Sequence, residues 1–263
     1  MMKQRFEDQV VVVTGASRGI GSATALAFAA EGAKVVINYR SDTEGALETQ
    51  SRIRAEGGSA LVYQADVGKK EDVDRMVSEV EEKMGSIRVL VNNAAAFNRD
   101  SFLNVSLEEF DRSFNTNVRG LFYLSQQVAR RMAARKQGAI IHISSILAQL
   151  AVPGRSVYCA TKGAVEALTR AMAVELIADN IRVNAVSPGM IRTEALEAGF
   201  SGPEILANLA RYIPGGRIGQ TMELAQAVLF LASEDASYIN GIILPVDSGM
   251  SAREAGPLPK EQN

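Results

Sequence analysis

Tyr158 and Lys162, in the run Tyr158-Cys159-Ala160-Thr161-Lys162, stand one helical turn apart and follow Ser145 by thirteen and seventeen residues. Positions i and i+4 share a helix face, so the Lys162 ammonium can lie beside the Tyr158 phenol and favour its ionised form. A phenol tuned this way exchanges protons near neutral pH, although a free tyrosine titrates at about 10. Taken alone, the pair is also what a solvated helix face presents. Its meaning depends on what the rest of the chain sets beside it.

The single cysteine, Cys159, excludes an internal disulfide, and with a single histidine, His142, there is no zinc site of the usual type. No metal is expected, and the chemistry has to come from a bound cofactor. A place for one is legible near the N-terminus. The apolar run Val10 to Thr14 leads into Thr14-Gly15-Ala16-Ser17-Arg18-Gly19-Ile20-Gly21, and a helical stretch from Ser22 to Glu31 follows. Strand, glycine turn and helix form the arrangement in which backbone amides and a helix N-terminus hold a pyrophosphate. The spacing is Gly-x-x-x-Gly-x-Gly, not the Gly-x-Gly-x-x-Gly of most dinucleotide folds, and tight strand-to-helix packing would ask for similar glycines.

The same turn contains Gly15-Ala16-Ser17-Arg18-Gly19, a literal Gly-x-Ser-x-Gly, and the order Ser17, Asp66, His142 can be written as a hydrolase triad. That elbow needs an oxyanion donor from a loop after an earlier strand, and only fourteen residues precede Gly15. His142 sits inside the apolar run Ala139 to Ile143 and reads as a structural strand residue.

The elements that must position these residues are visible as strand-like runs between amphipathic stretches. They are Val10 to Thr14, Lys34 to Tyr39, Ala60 to Gln64, Val89 to Asn92, Ala139 to Ser144, Arg182 to Ser187 and Ile242 to Val246. Strands alternating with helices predict a parallel sheet covered on both faces. Helix starts are expected at the boxes Ser41-Asp42-Thr43-Glu44 and Ser106-Leu107-Glu108-Glu109 and at Thr221, and helix ends at Gly32, Gly57-Gly58 and Gly85. Without a linker or repeat, residues 1–263 count as one domain. The stretch 189–219, rich in glycine and proline with a short apolar helical segment from Ile205 to Tyr212, reads as a substrate lid. The polar tail 251–263 is expected at the surface or disordered.

Across 263 residues, 47% hydrophobic and 22% charged with a net charge of −2, there is no basic field for nucleic acid or anionic lipid. The apolar runs are strand-sized, well short of the roughly 20 residues a membrane span needs, and the N-terminus lacks a signal-peptide core. The cytoplasm is the expected location, with neither nucleic acid nor membrane as partner.

Assembled in order, the motifs resemble those of the classical short-chain dehydrogenase/reductase family over nearly the whole chain. They are Thr14 to Gly21, Asp66-Val67, Asn92-Asn93-Ala94-Ala95, Asn117 in Asn115-Thr116-Asn117-Val118, the trio Ser145, Tyr158 and Lys162, and Pro188-Gly189-Met190-Ile191-Arg192-Thr193. The family usually has glycine where Ala95 stands, and its closing Val-Asp-Gly-Gly appears as Val246-Asp247-Ser248-Gly249. The resemblance implies a single-domain Rossmann-type doubly wound α/β fold around a seven-stranded parallel sheet. It implies Tyr158 as general acid/base between a ketone and a secondary alcohol, with Lys162 and a cationic nicotinamide stabilising the phenolate. Ser145 would hold the substrate oxygen, and Asn117 would anchor a water that relays protons to the lysine. Cofactor contacts are implied at Gly15, Ser17, Arg18, Gly19, Ile20 and Gly21, at Tyr39, Arg40 and Ser41, and at Asp66 and Val67. Further contacts are implied at Asn93, Ala94, Ala95, Tyr158, Lys162, Pro188, Gly189, Ile191 and Thr193, with Asn92 also lining the cleft.

The second strand ends Ile37-Asn38-Tyr39-Arg40-Ser41 with no acid for a ribose hydroxyl, and Asp42 reads as too far along. Arg40 and Arg18 could instead embrace a 2′-phosphate, so NADP(H) is favoured and NAD(H) remains open. Phe97, Leu150, Met190, Leu196, Phe200 and Leu206 are candidates for an apolar substrate pocket, or equally for core or oligomer contacts. Cys159 reads as a packing residue, with redox sensitivity as the alternative. The leading expectation is a carbonyl or 3-oxoacyl-type reductase. A polyol or sugar dehydrogenase is the alternative within the family, and a non-catalytic nucleotide sensor the alternative outside enzymes. Extra apolar residues in Ser106 to Arg135 and Val157 to Ile177, with the resemblance, imply a homotetramer or homodimer.

Overall fold

The apolar runs become strands buried on both sides, and the stretches between them wind into helices that cover the two faces, in a computed structural model that describes residues 4–200 and 202–253. In chain order the elements are β1 (Val10–Val13), α1 (Gly19–Ala30), β2 (Lys34–Tyr39), α2 (Thr43–Ala55), β3 (Ser59–Gln64), α3 (Lys70–Met84) and β4 (Ile87–Asn92). Then come α4 (Leu107–Phe114), α5 (Leu121–Arg135), β5 (Gly138–Ile143), α6 (Ser156–Leu176) and β6 (Ile181–Pro188). The last part contains β7 (Ile191–Arg192), α7 (Glu194–Gly199), α8 (Pro203–Ala210), β8 (Gly219–Gln220), α9 (Thr221–Ala232) and β9 (Ile243–Val246).

Seven strands form one sheet in the order β3-β2-β1-β4-β5-β6-β9, and every neighbouring pair is parallel. Period-two alternation divides the core. Val11 and Val13 of β1 face Phe28 of α1 and Leu224 and Leu229 of α9, whereas Val10 and Val12 face Val73 and Val77 of α3 and Leu124 and Val128 of α5. A strand with a core on each face has to be apolar at every position, which is why β1 reads Val-Val-Val-Val. Because β1 pairs with both β2 and β4, the loops leaving β1 and β4 run to opposite sides and open a crevice at the carboxyl ends of the strands.

Helix starts depart from the sequence reading by one residue in two places. Asp42, not Ser41, caps α2, its Oδ1 accepting from the Gly45 amide at 3.1 Å. A carboxylate is the stronger acceptor at the positive end of a helix, and Arg18 sits 3.9 Å from it. At α9 the box begins at Gln220, whose amide donates to Glu223 at 2.8 Å, rather than at Thr221. Ser106 does cap α4 (3.2 Å from the Glu109 amide), but the Glu109 carboxylate turns to Arg112 at 2.7 Å instead of back to the cap. Arg182 reads in the sequence as an ordinary strand residue. In the fold it is buried and donates to the carbonyls of Leu231 (2.6 Å), Ala232 (3.1 Å) and Ser233 (2.8 Å), closing the C-terminal end of α9.

The 189–219 stretch holds two short helices, α7 and α8, where one was expected. Its ends are tied by the two-stranded pairing of β7 with β8, Ile191 opposite Gly219 and Arg192 opposite Gln220. The expected tail lies outside the described residues from 254 onward. No helix among the described residues is long and apolar enough to cross a membrane.

Candidate active site

The crevice between the β1 and β4 loops is built by close backbone approach. Gly15 and Gly19 take φ of 61° and 57°, in the left-handed region where a side chain is strained. A Cβ on Gly15 would stand 2.9 Å from the Ala94 Cα, and one on Gly21 would stand 2.2 Å from the Gly15 carbonyl oxygen. Thr14, which the sequence presents only as the start of the turn, organises this approach. Its hydroxyl accepts from the amides of Asn93 (2.9 Å) and Ala94 (3.0 Å). The Asn93 side-chain amide donates back to the carbonyls of Thr14 and Gly15, both at 2.9 Å. Asn92 does not line the crevice as expected; its side chain is buried towards α5, donating to Ser125 Oγ at 2.9 Å.

Gly15, Ser17, Arg18, Tyr39, Arg40, Ser41, Asp66, Val67, Asn93, Ala94 and Ala95 line one cleft of about 290 Å3, together with Asn38, Asp42, Ala65 and Thr116. Asp42, read as too distant, is therefore part of the cleft wall. Asn38 holds the end of β2 to the loop after β3, donating to the Ala65 carbonyl at 3.0 Å. Beside this cleft, Ser17, Arg18 and Gly19 also border a second one of about 490 Å3 that reaches Thr193. Helix α1, which carries Gly19, Ile20 and Gly21 in its first turn, has no side-chain cap and no acid there. Its free first-turn amides and a cradle that any Cβ would fill fit the pyrophosphate of a dinucleotide. Pro188, Gly189 and Ile191 are tied to the last strands instead: the Gly189 amide donates to the Val246 carbonyl at 3.1 Å, and Ile191 is buried opposite Gly219. Thr193 Oγ1 caps α7, 3.2 Å from the Leu196 amide.

Helix α6 carries Tyr158 and Lys162 to the ends of β4 and β5. Lys162 is buried, donates to the Ile143 carbonyl at 2.6 Å, and lies 5.5 Å from the Tyr158 ring centroid. Burial lowers its pKa to about 8. Burial also raises the Tyr158 phenol to about 12, against the opposing pull of the neighbouring Ser145 hydroxyl and the Arg155 charge. Desolvation of the phenol thus outweighs the pull of Ser145 and Arg155. Of the two adjacent serines, Ser144 turns to Glu166 (3.1 Å), which leaves Ser145 beside the phenol.

Asn117 lies in a π-turn, Asn115–Gly120, between α4 and α5. Its Nδ2 donates to the Ala96 carbonyl (2.9 Å) and Thr161 Oγ1 (3.1 Å), and its Oδ1 accepts from the Ala96 amide (2.6 Å). With both amide hydrogens engaged, the side chain clamps the β4 loop to α6. His142 is fully buried, with Nδ1 against Thr169 Oγ1 at 2.9 Å, and burial drives its pKa to about 3. It has no place in a triad with Ser17.

Of the apolar candidates, Phe97 comes to the tyrosine, edge-on with centroids 4.9 Å apart. Phe200 reaches the same region through Arg99, whose guanidinium lies 5.5 Å from its ring. Leu150 is exposed and meets Cys159 through its carbonyl (Sγ to O 3.8 Å), while Met190, Leu196 and Leu206 sit on or beside β7, α7 and α8. Cys159 is half-buried.

A family model described as enoyl-(acyl carrier protein) reductase matches residues 15–251. The 3-oxoacyl-[acyl-carrier-protein] reductase of Synechocystis is 39% identical over 243 residues, covering 92% of this chain and 96% of that one. This chain belongs to the classical short-chain dehydrogenase/reductase family. It is also 39% identical to 3β-hydroxysteroid dehydrogenase 1 of Eggerthella lenta over 251 residues, 95% of this chain and 96% of the other. A solved structure of gluconate 5-dehydrogenase from Burkholderia cenocepacia, in complex with NADP and tartrate, superposes with a TM-score of 0.89 at 35% identity, covering 96% and 98% of the two chains. As a short-chain dehydrogenase/reductase it is an oxidoreductase acting between CH–OH and C=O groups. The family match leaves the substrate open, since these relatives are named for an acyl thioester, a steroid and a sugar acid.

Proposed function

We propose that this chain is an NADP(H)-dependent reductase of a ketone, with Tyr158 as the proton donor. The observation that carries the reading is the half-buried Tyr158 phenol, set beside Ser145 with Lys162 Nζ 5.5 Å from its ring centroid and with desolvation raising its pKa to about 12. At neutral pH it is ready to give a proton to a carbonyl oxygen, whereas alcohol oxidation would need the phenolate. The cofactor, when bound, supplies hydride. Ser145 positions the substrate oxygen, Lys162 holds a positive charge beneath the phenol, and Asn117 keeps the β4 loop and α6 in register. Ser17, Arg18, Arg40 and Ser41 form the polar end of the cleft, and Arg18 and Arg40 there support a 2′-phosphate and hence NADP(H) over NAD(H). The 189–219 stretch is the lid over the substrate, and the cytoplasm the location.

A polyol or sugar dehydrogenase is the second reading, supported by the likeness to a gluconate dehydrogenase. The exposed apolar side chains of α4 and α5, Leu107, Phe110 and Phe122, support a homo-oligomer. Steady-state assays with NADPH over ketones and 3-oxoacyl thioesters, and with NADP⁺ over polyols, test the reading. Tyr158→Phe should lower kcat by about 1000-fold while leaving cofactor affinity within about twofold. Near-native turnover by that variant would refute the assignment of the proton donor.

A further inference from the structure

Two arginines stand at the mouth of the site without a counter-charge. Arg155 directly precedes α6, three residues before Tyr158, and its guanidinium lies 3.8 Å from the Phe97 ring centroid. The Arg99 guanidinium lies 5.9 Å from the same centroid. Phe97 in turn packs edge-on against Tyr158. Both cations therefore sit one aromatic ring away from the proton donor. Among the described residues, neither has a carboxylate within ion-pair distance.

Each guanidinium is oriented by a backbone carbonyl through Nη1, Arg155 by Asn98 and Arg99 by Gly199 (3.3 Å). Their Nε and Nη2 groups have no hydrogen-bond acceptor among the described residues, and that edge matches the two oxygens of a carboxylate in one plane. The two charges also disfavour one another, since burial and the Arg99 charge both hold Arg155 below its ordinary value. Asn98, which precedes Arg99 and whose carbonyl holds Arg155, has a buried side chain with neither its oxygen nor its nitrogen bonded to any described residue. A fold that keeps two like charges and an unpartnered amide together at a reaction mouth is arranged for an anion that arrives from outside.

We propose that the ketone substrate is an oxo acid whose carboxylate is gripped by Arg155 and Arg99 while its carbonyl faces Tyr158. The phenyl ring of Phe97 lies against the carbon chain between the two groups. This inference rests on the reading of Tyr158 as the proton donor of a ketone reduction. Because Arg99 also holds the Gly199 carbonyl and lies over Phe200, the same anion would meet the end of α7.

The test uses the full chain with NADPH and matched series of oxo acids, their methyl esters and their neutral N-acetylcysteamine thioesters. The expected result is a kcat/KM on the order of 100-fold higher for acid than for ester, falling towards parity in Arg155→Met and in Arg99→Met. Methionine keeps an unbranched stem against Phe97, and the melting temperature and NADP⁺ affinity of each variant report whether it has folded. Equal efficiency with acids and neutral compounds overturns the proposal, as does an acid-to-ester ratio unchanged in both variants. Calorimetric titration with malonate, an unreactive dicarboxylate, separates the two readings in the presence of NADP⁺. If the wild type reduces none of the compounds yet binds malonate in an arginine-dependent way, the carboxylate site stands and the redox reading fails. Absence of both turnover and malonate binding overturns the carboxylate site.

Discussion

Lys162 and Tyr158 illustrate how burial reshapes residues whose types promise a reaction. The lysine that the sequence casts as the agent lowering the phenol is itself pushed down to about 8 by desolvation, and the phenol rises to about 12. Between about pH 8 and 10.5 the unfolded chain binds more protons at Lys162 than the fold does, so this amine makes stability rise with pH across that window. Below about pH 8 the fold carries the full cost of a buried ammonium, on the order of 3 kcal/mol. Lys162→Met removes that dependence. The difference in melting temperature, wild type minus variant, should therefore increase from pH 8 to pH 10, the contribution of Tyr158 cancelling because both proteins carry it. A flat difference across that interval would contradict the buried-amine account.

Among the elements, α1 and the turn before it are fixed most tightly. Gly21 sits in the first turn of α1, where a Cβ would stand 2.2 Å from the Gly15 carbonyl oxygen and 2.6 Å from Asn93 Nδ2. An added methyl has to push the helix away from the turn and from the β4 loop together, because Asn93 ties those two loops. Gly21→Ala should cost about 1–3 kcal/mol of stability, as overpacking does. It should also weaken cofactor binding at least tenfold, measured by titration calorimetry with NADPH. Unchanged affinity would mean that the cradle is not where the dinucleotide sits. The helices and strands are legible in the periodicity, the caps only to within a residue, and the spatial order of the strands only in the fold. Asp42 wins the α2 cap from Ser41 through a spatial neighbour, Arg18, which lies far from it in sequence.

At the scale of the whole molecule, large apolar side chains stay exposed around α4, α5 and α6. Phe102, Leu107 and Val174 are each more than three-quarters exposed, at 76%, 76% and 78%. Nearby, Phe114, Val118, Phe122 and Leu168 line a groove of about 560 Å3 with Asp111, Asn115 and Arg119. Such a face calls for a partner, and a second copy of this chain is the one the proposed homo-oligomer supplies. Phe122→Glu places a charge at the centre of the groove and should shift the assembled species to a smaller one by light scattering after size exclusion. A variant with unchanged mass would move the interface elsewhere.

By itself the sequence determined the strand order's raw material, the glycine cradle and the trio Ser145, Tyr158 and Lys162, because these depend on local periodicity, backbone freedom and fixed spacing. Tertiary structure alone decided that Asn117 and Asn93 act as clamps, that Asn92 faces away, and that Arg182 closes a helix it does not belong to. It also decided the desolvation that raises the Tyr158 pKa and the meeting of Arg99 with Arg155 around Phe97. Desolvation and charge proximity depend on which distant segments pack together, and spacing along the chain does not carry that information.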